Sequence, residues 1–147
     1  MNKIEYAAAL YSNYNCSQSV LTAFAEELDL DEDTSLKIAF AFGSGMSRIQ
    51  SVCGALTGAM MVLGMKFGID KIDDTIQKEK VYKLTNLLFD EFNKKHGTLL
   101  CCELLGYDMR TEAGKSEIKR LNLRKVKCGK FVKNAVEITV KLIEENE

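Results

Sequence analysis

The sequence predicts an all-α protein: one compact domain over residues 1-147, a helical bundle of about five to six helices around a central buried helix. Three observations carry that expectation. Apolar residues recur at spacings of three and four through most of the chain, while strict alternation with β-branched residues is scarce. There is no proline, no Ser/Gly-rich linker and no repeat of fixed period, so glycines are the main punctuation and nothing marks a domain boundary. With 147 residues, of which 46% are hydrophobic and 28% charged, the chain can build a core without disulfides or a structural metal.

A first helix is expected after Asn15, whose side chain can cap the free amides while Gln18, at the third helical position, completes a looser capping box. Val20, Leu21, Phe24 and Leu28 form its apolar stripe. Asp31 or Asp33 then caps a second helix carrying Leu36 and Phe40, which Gly43 and Gly45 end. A third helix runs from near Cys53 to Phe67, buried all round and stopped by Gly68, with Met60, Met61 and Met65 as core fillers. The fourth, from Asp73 to Lys95, turns Ile76, Val81, Leu84, Leu87, Leu88 and Phe92 inward. Lys94, Lys95 and His96 favour its negative end before Gly97.

A short helix from Leu99 to Leu105 stops at Gly106. Residues 108–127 are polar, so a loop is expected there with at most a short helix near Lys115 to Leu121. The last helix begins near Cys128 and carries Phe131, Val132, Ala135, Val136, Thr139, Leu142 and Ile143 on one face. His96 reads as a helix-end residue beside the last carbonyls rather than a ligand or base.

Composition excludes several function classes. Lys plus Arg is 20 and Asp plus Glu is 21, a net charge of -1, which supplies no global field for a nucleic acid or an anionic bilayer. The longest apolar stretch, Cys53 to Met65, falls short of the roughly 20 residues a membrane span needs. The first residues, with Glu5 and no apolar h-region, do not read as a secretory signal, so the expected location is cytoplasmic. In that compartment the five cysteines read as thiols, metal ligands or redox centres rather than as a disulfide framework.

Set against the predicted elements, Cys16, Cys53, Cys101 and Cys128 each fall in the first turn of a helix. A helix start carries unpaired N–H groups and about half a positive charge, which favours thiolate over thiol. If the four starts converge, they form a four-sulfur pocket suited to an iron-sulfur cluster, to zinc, or to a reversible dithiol. The chain offers no C-x-x-C pair, and separations of tens of residues do not themselves encode a metal site. Buried thiols filling core gaps are the simpler reading of any one cysteine taken alone. Cys102 points about 100° from Cys101 on a helix and reads as a packing residue or spare thiol.

Two glycine features flank Cys53. Gly54 and Gly58 lie four apart on one helix face, where a backbone or a cofactor can approach. Upstream, Gly43-Ser44-Gly45-Met46-Ser47-Arg48 reads either as a helix connection or as an anion cradle, with Arg48 placed to favour a thiolate or bind an acidic group. That segment lacks a P-loop ending, which argues against nucleotide, and the absence of C-x-x-C-H argues against haem.

The residues resemble a family regarded as redox-active and named for its C, CGAxxG (also GCAxxG), C, C pattern. The resemblance rests on Cys16 in Tyr14-Asn15-Cys16-Ser17-Gln18, on Cys53-Gly54-Ala55-Leu56-Thr57-Gly58, on Cys101 between Gly97 and Gly106, and on Cys128 before Phe131-Val132. It covers nearly the whole chain and implies a small helical bacterial-type protein whose four pattern cysteines form a redox or metal centre. Members usually have a glycine-richer run at the position of Gly43 to Arg48, and a polar or basic residue where Cys102 stands, which makes Cys102 a potential competing ligand.

The leading expectation is therefore a redox protein in which these four cysteines ligate an iron-sulfur cluster for electron transfer or cycle between dithiol and disulfide, the cluster being preferred. The alternative is a non-enzymatic zinc-binding or structural module with buried thiols. A third reading is a thiol enzyme using Cys53 activated by Arg48. A redox partner protein is expected in the first case, and the abundance of apolar helices is compatible with a homodimer.

Overall fold

The computed structural model of the chain describes residues 1–71 and 73–147. Among the described residues there are eight right-handed α-helices: α1 (Lys3–Leu10), α2 (Cys16–Ala23), α3 (Glu32–Ala39), α4 (Gly54–Phe67), α5 (Thr75–His96), α6 (Cys101–Leu105), α7 (Glu112–Arg120) and α8 (Gly129–Asn146). A 3₁₀ turn, Phe40–Phe42, follows α3, and a π-helical turn, Arg124–Cys128, runs directly into α8. No strand occurs among the described residues, and an antiparallel bridge pairs Val52 with Leu100. No described helix is long and apolar enough to cross a membrane.

The sequence expectation of five to six helices undercounts because short polar helices leave little periodicity to read. Helix α1 was not anticipated at all. It is held by a capping box in which Asn2 Oδ1 accepts from the Glu5 amide at 2.8 Å and Glu5 Oε2 accepts from the Asn2 amide at 3.2 Å. The same device, read correctly from the sequence, opens α2: the Gln18 amide donates to Asn15 Oδ1 and the Asn15 amide donates to Gln18 Oε1, both at 3.0 Å.

Helix α4 is the hub, packing on α2, α5 and α8, while α1 bridges α2 and α8. All seven residues assigned to the inner face of α8 are buried. The main core joins Val20, Leu21 and Phe24 of α2 and its following turn to Leu56, Val62 and Leu63 of α4 and to Leu84, Leu88 and Phe92 of α5. A satellite cluster of Cys101, Leu105, Met109, Ile118 and Leu123 lies beside it, and Cys128 packs against both.

Several expected core residues face outward. Phe40 is 68% exposed because α3 ends at Ala39 and the chain tightens into the 3₁₀ turn, changing the phase of the side chains. Ile76 is 86% exposed in the first turn of α5, which meets the ends of α4 and α8 through Gln77 to the Phe67 carbonyl and Lys80 to the Asn146 carbonyl. Leu87 lies off the Leu84–Leu88–Phe92 stripe. Met60 and Met65 are exposed because α4 is enclosed only in its first half, up to Ala59, and presents one face to solvent beyond that point. His96 packs its ring against Phe92 and Phe131, with Nε2 2.8 Å from Asn134 Oδ1, rather than capping carbonyls.

The connection between α3 and α4 contains the least expected backbone. Ser44, Gly45, Met46, Ser47 and Arg48 all have φ between +56° and +72°, one turn of left-handed helix. Non-glycine residues there cost roughly 1–2 kcal/mol each. The turn is closed by the Arg48 amide donating to the Ser44 carbonyl at 3.1 Å, the Ser51 amide to the Gly45 carbonyl at 2.9 Å, and Ser47 Oγ to the Ala41 carbonyl at 2.8 Å. Such strain persists where surroundings fix it, and here it shapes one wall of the cysteine site.

Candidate functional site

Four separate elements bring Cys16, Cys53, Cys101 and Cys128 to one cavity of about 870 Å³. Cys16 is the first residue of α2, immediately after the Asn15 cap, and Asn15 Nδ2 also donates to the Phe40 carbonyl at 2.9 Å. Cys53 caps α4 and Cys101 opens α6. The Val52–Leu100 bridge ties these two together: the Cys53 amide donates to the Leu99 carbonyl at 2.9 Å and the Cys101 amide to the Ser51 carbonyl at 2.7 Å. Cys128 closes the π turn and stands at the seam between the main core and the satellite cluster.

Glycines set the close approach. A Cβ on Gly54 would overlap the sulfur of Cys16, so only glycine leaves room for that thiol against α4. At Gly45 a Cβ would lie 2.6 Å from Gln50 Cα and 2.7 Å from Cys101 Cβ, on a backbone already at φ +61°. The left-handed turn is thereby pressed against the third cysteine. Gly58 meets the Ser17 carbonyl, 2.7 Å from its would-be Cβ, and does not line the cavity. It lets the backbone of α2 approach α4 closely, the backbone alternative of the two expected for this glycine pair.

Arg48, expected to favour a thiolate or bind an acidic group, lies beside the cavity rather than in its lining. It is exposed, lies at φ +72° and lines an adjoining depression that shares Met109, Asn122 and Arg124 with the cysteine cavity. The cation near the thiols is Arg124, whose charge favours ionisation of Cys16 and Cys128. Sequence reasoning missed it because it was assigned to a loop. The spacing of the basic residues through 119–133, with Leu123 buried among them, was the available signal. Tyr11, whose hydroxyl donates a hydrogen bond to the Cys128 sulfur, was missed along with the helix before it.

The electrostatics run opposite to the expectation of helix-start thiolates. Burial raises the Cys16 pKa despite amide hydrogen bonds from Ser44 and Ser17. Burial, then the neighbouring Cys16, raises Cys53 well above the ordinary thiol value, with the Ala55 amide opposing. Burial, Cys128 and Cys16 push Cys101 up to about 12, against a hydrogen bond from Gln50. Cys128 is pushed up to about 11 by burial and Cys16, with Tyr11 and Arg124 opposing. Desolvation penalises the charged form more than a few amides and half a helix charge can return. Cys128 also has no free helix start, since the π turn continues into α8. Every pair among the four thiols interacts, which places all four sulfurs in one electrostatic unit.

Cys102 is exposed and outside the cavity lining. Among the described residues no three Cys, His, Asp or Glu side chains are grouped tightly enough to hold a single metal ion. All five cysteines are free thiols.

Two measurable consequences follow from these positions. In metal-free, reduced protein at pH 8, an alkylating reagent is expected to modify Cys102 first, with Cys128 and then Cys101 reacting only as the pH climbs toward 11 and 12. Peptide mass mapping of a time course reads the order. The native chain also keeps protons that unfolded thiols, with pKa about 8.5, release, so stability is full below that value and falls above it. The loss is about 1.4 kcal/mol per pH unit for each such thiol, checked by urea unfolding from pH 8 to 10.5, and Cys128→Ser should flatten the slope.

An all-helical frame brings four thiols, Cys53 and Cys101 buried and Cys16 and Cys128 half-buried, to the wall of one cavity. The chain belongs to the family described as putative redox-active protein (C_GCAxxG_C_C), whose model matches residues 14–142. No curated protein and no solved structure was found to match it.

Proposed function

We propose that Cys16, Cys53, Cys101 and Cys128 hold an iron-sulfur cluster through which the protein exchanges electrons with a partner protein. The observation that supports this reading is the single cavity lined by all four thiols, where burial favours the neutral form of each. Such a set sheds its protons readily only to a positive centre shared among the sulfurs. Four soft thiolate donors are the ligand set of such clusters. When bound, the cluster would supply one-electron chemistry.

The chain's own groups then tune that centre. Amides of Ser44 and Ser17 donate to Cys16, the Ala55 amide to Cys53, and the Tyr11 hydroxyl to Cys128. Donors to sulfur stabilise the more negative state and raise the reduction potential. Tyr11→Phe is therefore expected to lower the midpoint potential with iron content retained, as read by redox titration. In the metal-free chain the same variant should raise the Cys128 pKa further.

A dithiol–disulfide cycle is the second reading, favoured by the bridge that ties the starts of α4 and α6 together. It is weaker because neutral thiols attack disulfides poorly near pH 7. Protein purified without oxygen should show broad visible absorption and contain iron and acid-labile sulfide in comparable amounts. Failure of the reconstituted chain to bind either overturns the cluster. Reversible loss of two thiols without iron would support the dithiol cycle, and stoichiometric zinc in colourless protein would support the structural module.

A further inference from the structure

The cavity extends well beyond the sulfurs, and its charge has one sign. Its volume of about 870 Å³ lies within the range of roughly 300–1,000 Å³ typical of small-molecule sites. Arg124, Lys125, Lys130 and Lys133 line it, and no aspartate or glutamate does. Over the whole chain acids and bases are balanced at 21 and 20, so this is local segregation rather than composition.

None of the four cations belongs to an ion pair among the described residues, whereas Lys94, Lys95, Arg110, Lys115 and Arg120 all pair with carboxylates elsewhere. Their position also runs against local stability. Arg124 and Lys125 sit on the π turn that opens this continuous helix, and Lys130 and Lys133 on the following turns of α8, with no acidic residue in the π turn or the first turn of α8. Like charges added to a positive helix end cost folding energy, and together they focus a positive potential on the cavity mouth. The rest of the lining is different in kind: Tyr11, Leu104, Leu105, Met109 and Phe131 present mainly apolar surface, alongside the buried Cys53 and Cys101.

We infer that this cavity binds a small organic anion, its carboxylate or phosphate held by Lys125, Lys130 and Lys133 and its apolar body set against Leu104, Leu105 and Phe131 beside the four thiols. The inference rests on the proposed redox centre only for what the sulfurs do to such a molecule. Binding itself requires no cluster.

The test uses the full-length chain, both as purified without oxygen and after metal removal under reducing conditions. Benzoate, phenyl phosphate and the neutral benzamide are titrated while backbone amide shifts are followed by NMR. Both anions should give saturable shifts at Ser44 and through residues 122–133 in each form, with benzamide binding at least about tenfold more weakly. The triple variant Lys125→Gln, Lys130→Gln, Lys133→Gln should weaken the anions about tenfold, leaving benzamide binding and iron content unchanged. Equal affinity for benzamide, an unaffected triple variant, or binding of hexaglutamate without binding of either small anion would overturn the inference. Intact anion binding in a chain that takes up no iron would overturn the cluster reading alone.

Discussion

Cys53→Ser is expected to abolish the iron and sulfide binding proposed above while leaving the helical circular-dichroism spectrum intact. Cys53 is 5% exposed, caps the central helix, and interacts electrostatically with each of the other three thiols. Serine fills almost the same volume and is favoured at an N-cap position, so folding is preserved, but its hydroxyl does not ionise to a soft donor at neutral pH. Cys102→Ser, on the exposed side of α6, should keep full iron content. Iron-to-protein ratios of the two variants, purified side by side without oxygen, decide the matter: equal retention in both would remove Cys53 from the centre.

Gly45→Ala should have the largest effect on stability. The added methyl meets the backbone of Gln50 and the Cβ of Cys101, neither of which can swing aside, and the residue must still adopt φ +61°. Overpacking costs about 1–3 kcal/mol and the left-handed conformation about 1 kcal/mol more, a loss of roughly 2–4 kcal/mol in all. At this chain length the melting temperature should fall by roughly 5–15 °C. A variant that melts with the parent protein would mean that the turn relaxes freely and is not pressed on the third cysteine.

Some of the architecture is written locally. The buried face of α8 follows from one apolar stripe, Phe131 through Ile143, and the start of α2 from the reciprocal pairing of Asn15 and Gln18. Gly68, Gly97 and Gly106 stop α4, α5 and α6 where expected, the last two at φ +82° and +79°. These are signals carried by neighbours within a turn or two. Helix α1 is built by the same chemistry, yet Asn2 and Glu5 precede a run of alanines with no clear stripe. Phe40, Ile76 and Met65 have core chemistry but lie where no partner element reaches.

By itself the sequence determined an all-helical protein, the positions of most helix ends, and the four cysteines that deserved to be considered together. Only the tertiary structure decided that those sulfurs share a cavity, that Arg124 and Tyr11 rather than Arg48 attend them, and that burial outweighs the helix starts so that the thiols are held neutral. The reason is range: caps and stripes act between residues a few positions apart, whereas desolvation and the repulsion among four thiols exist only after distant segments have packed.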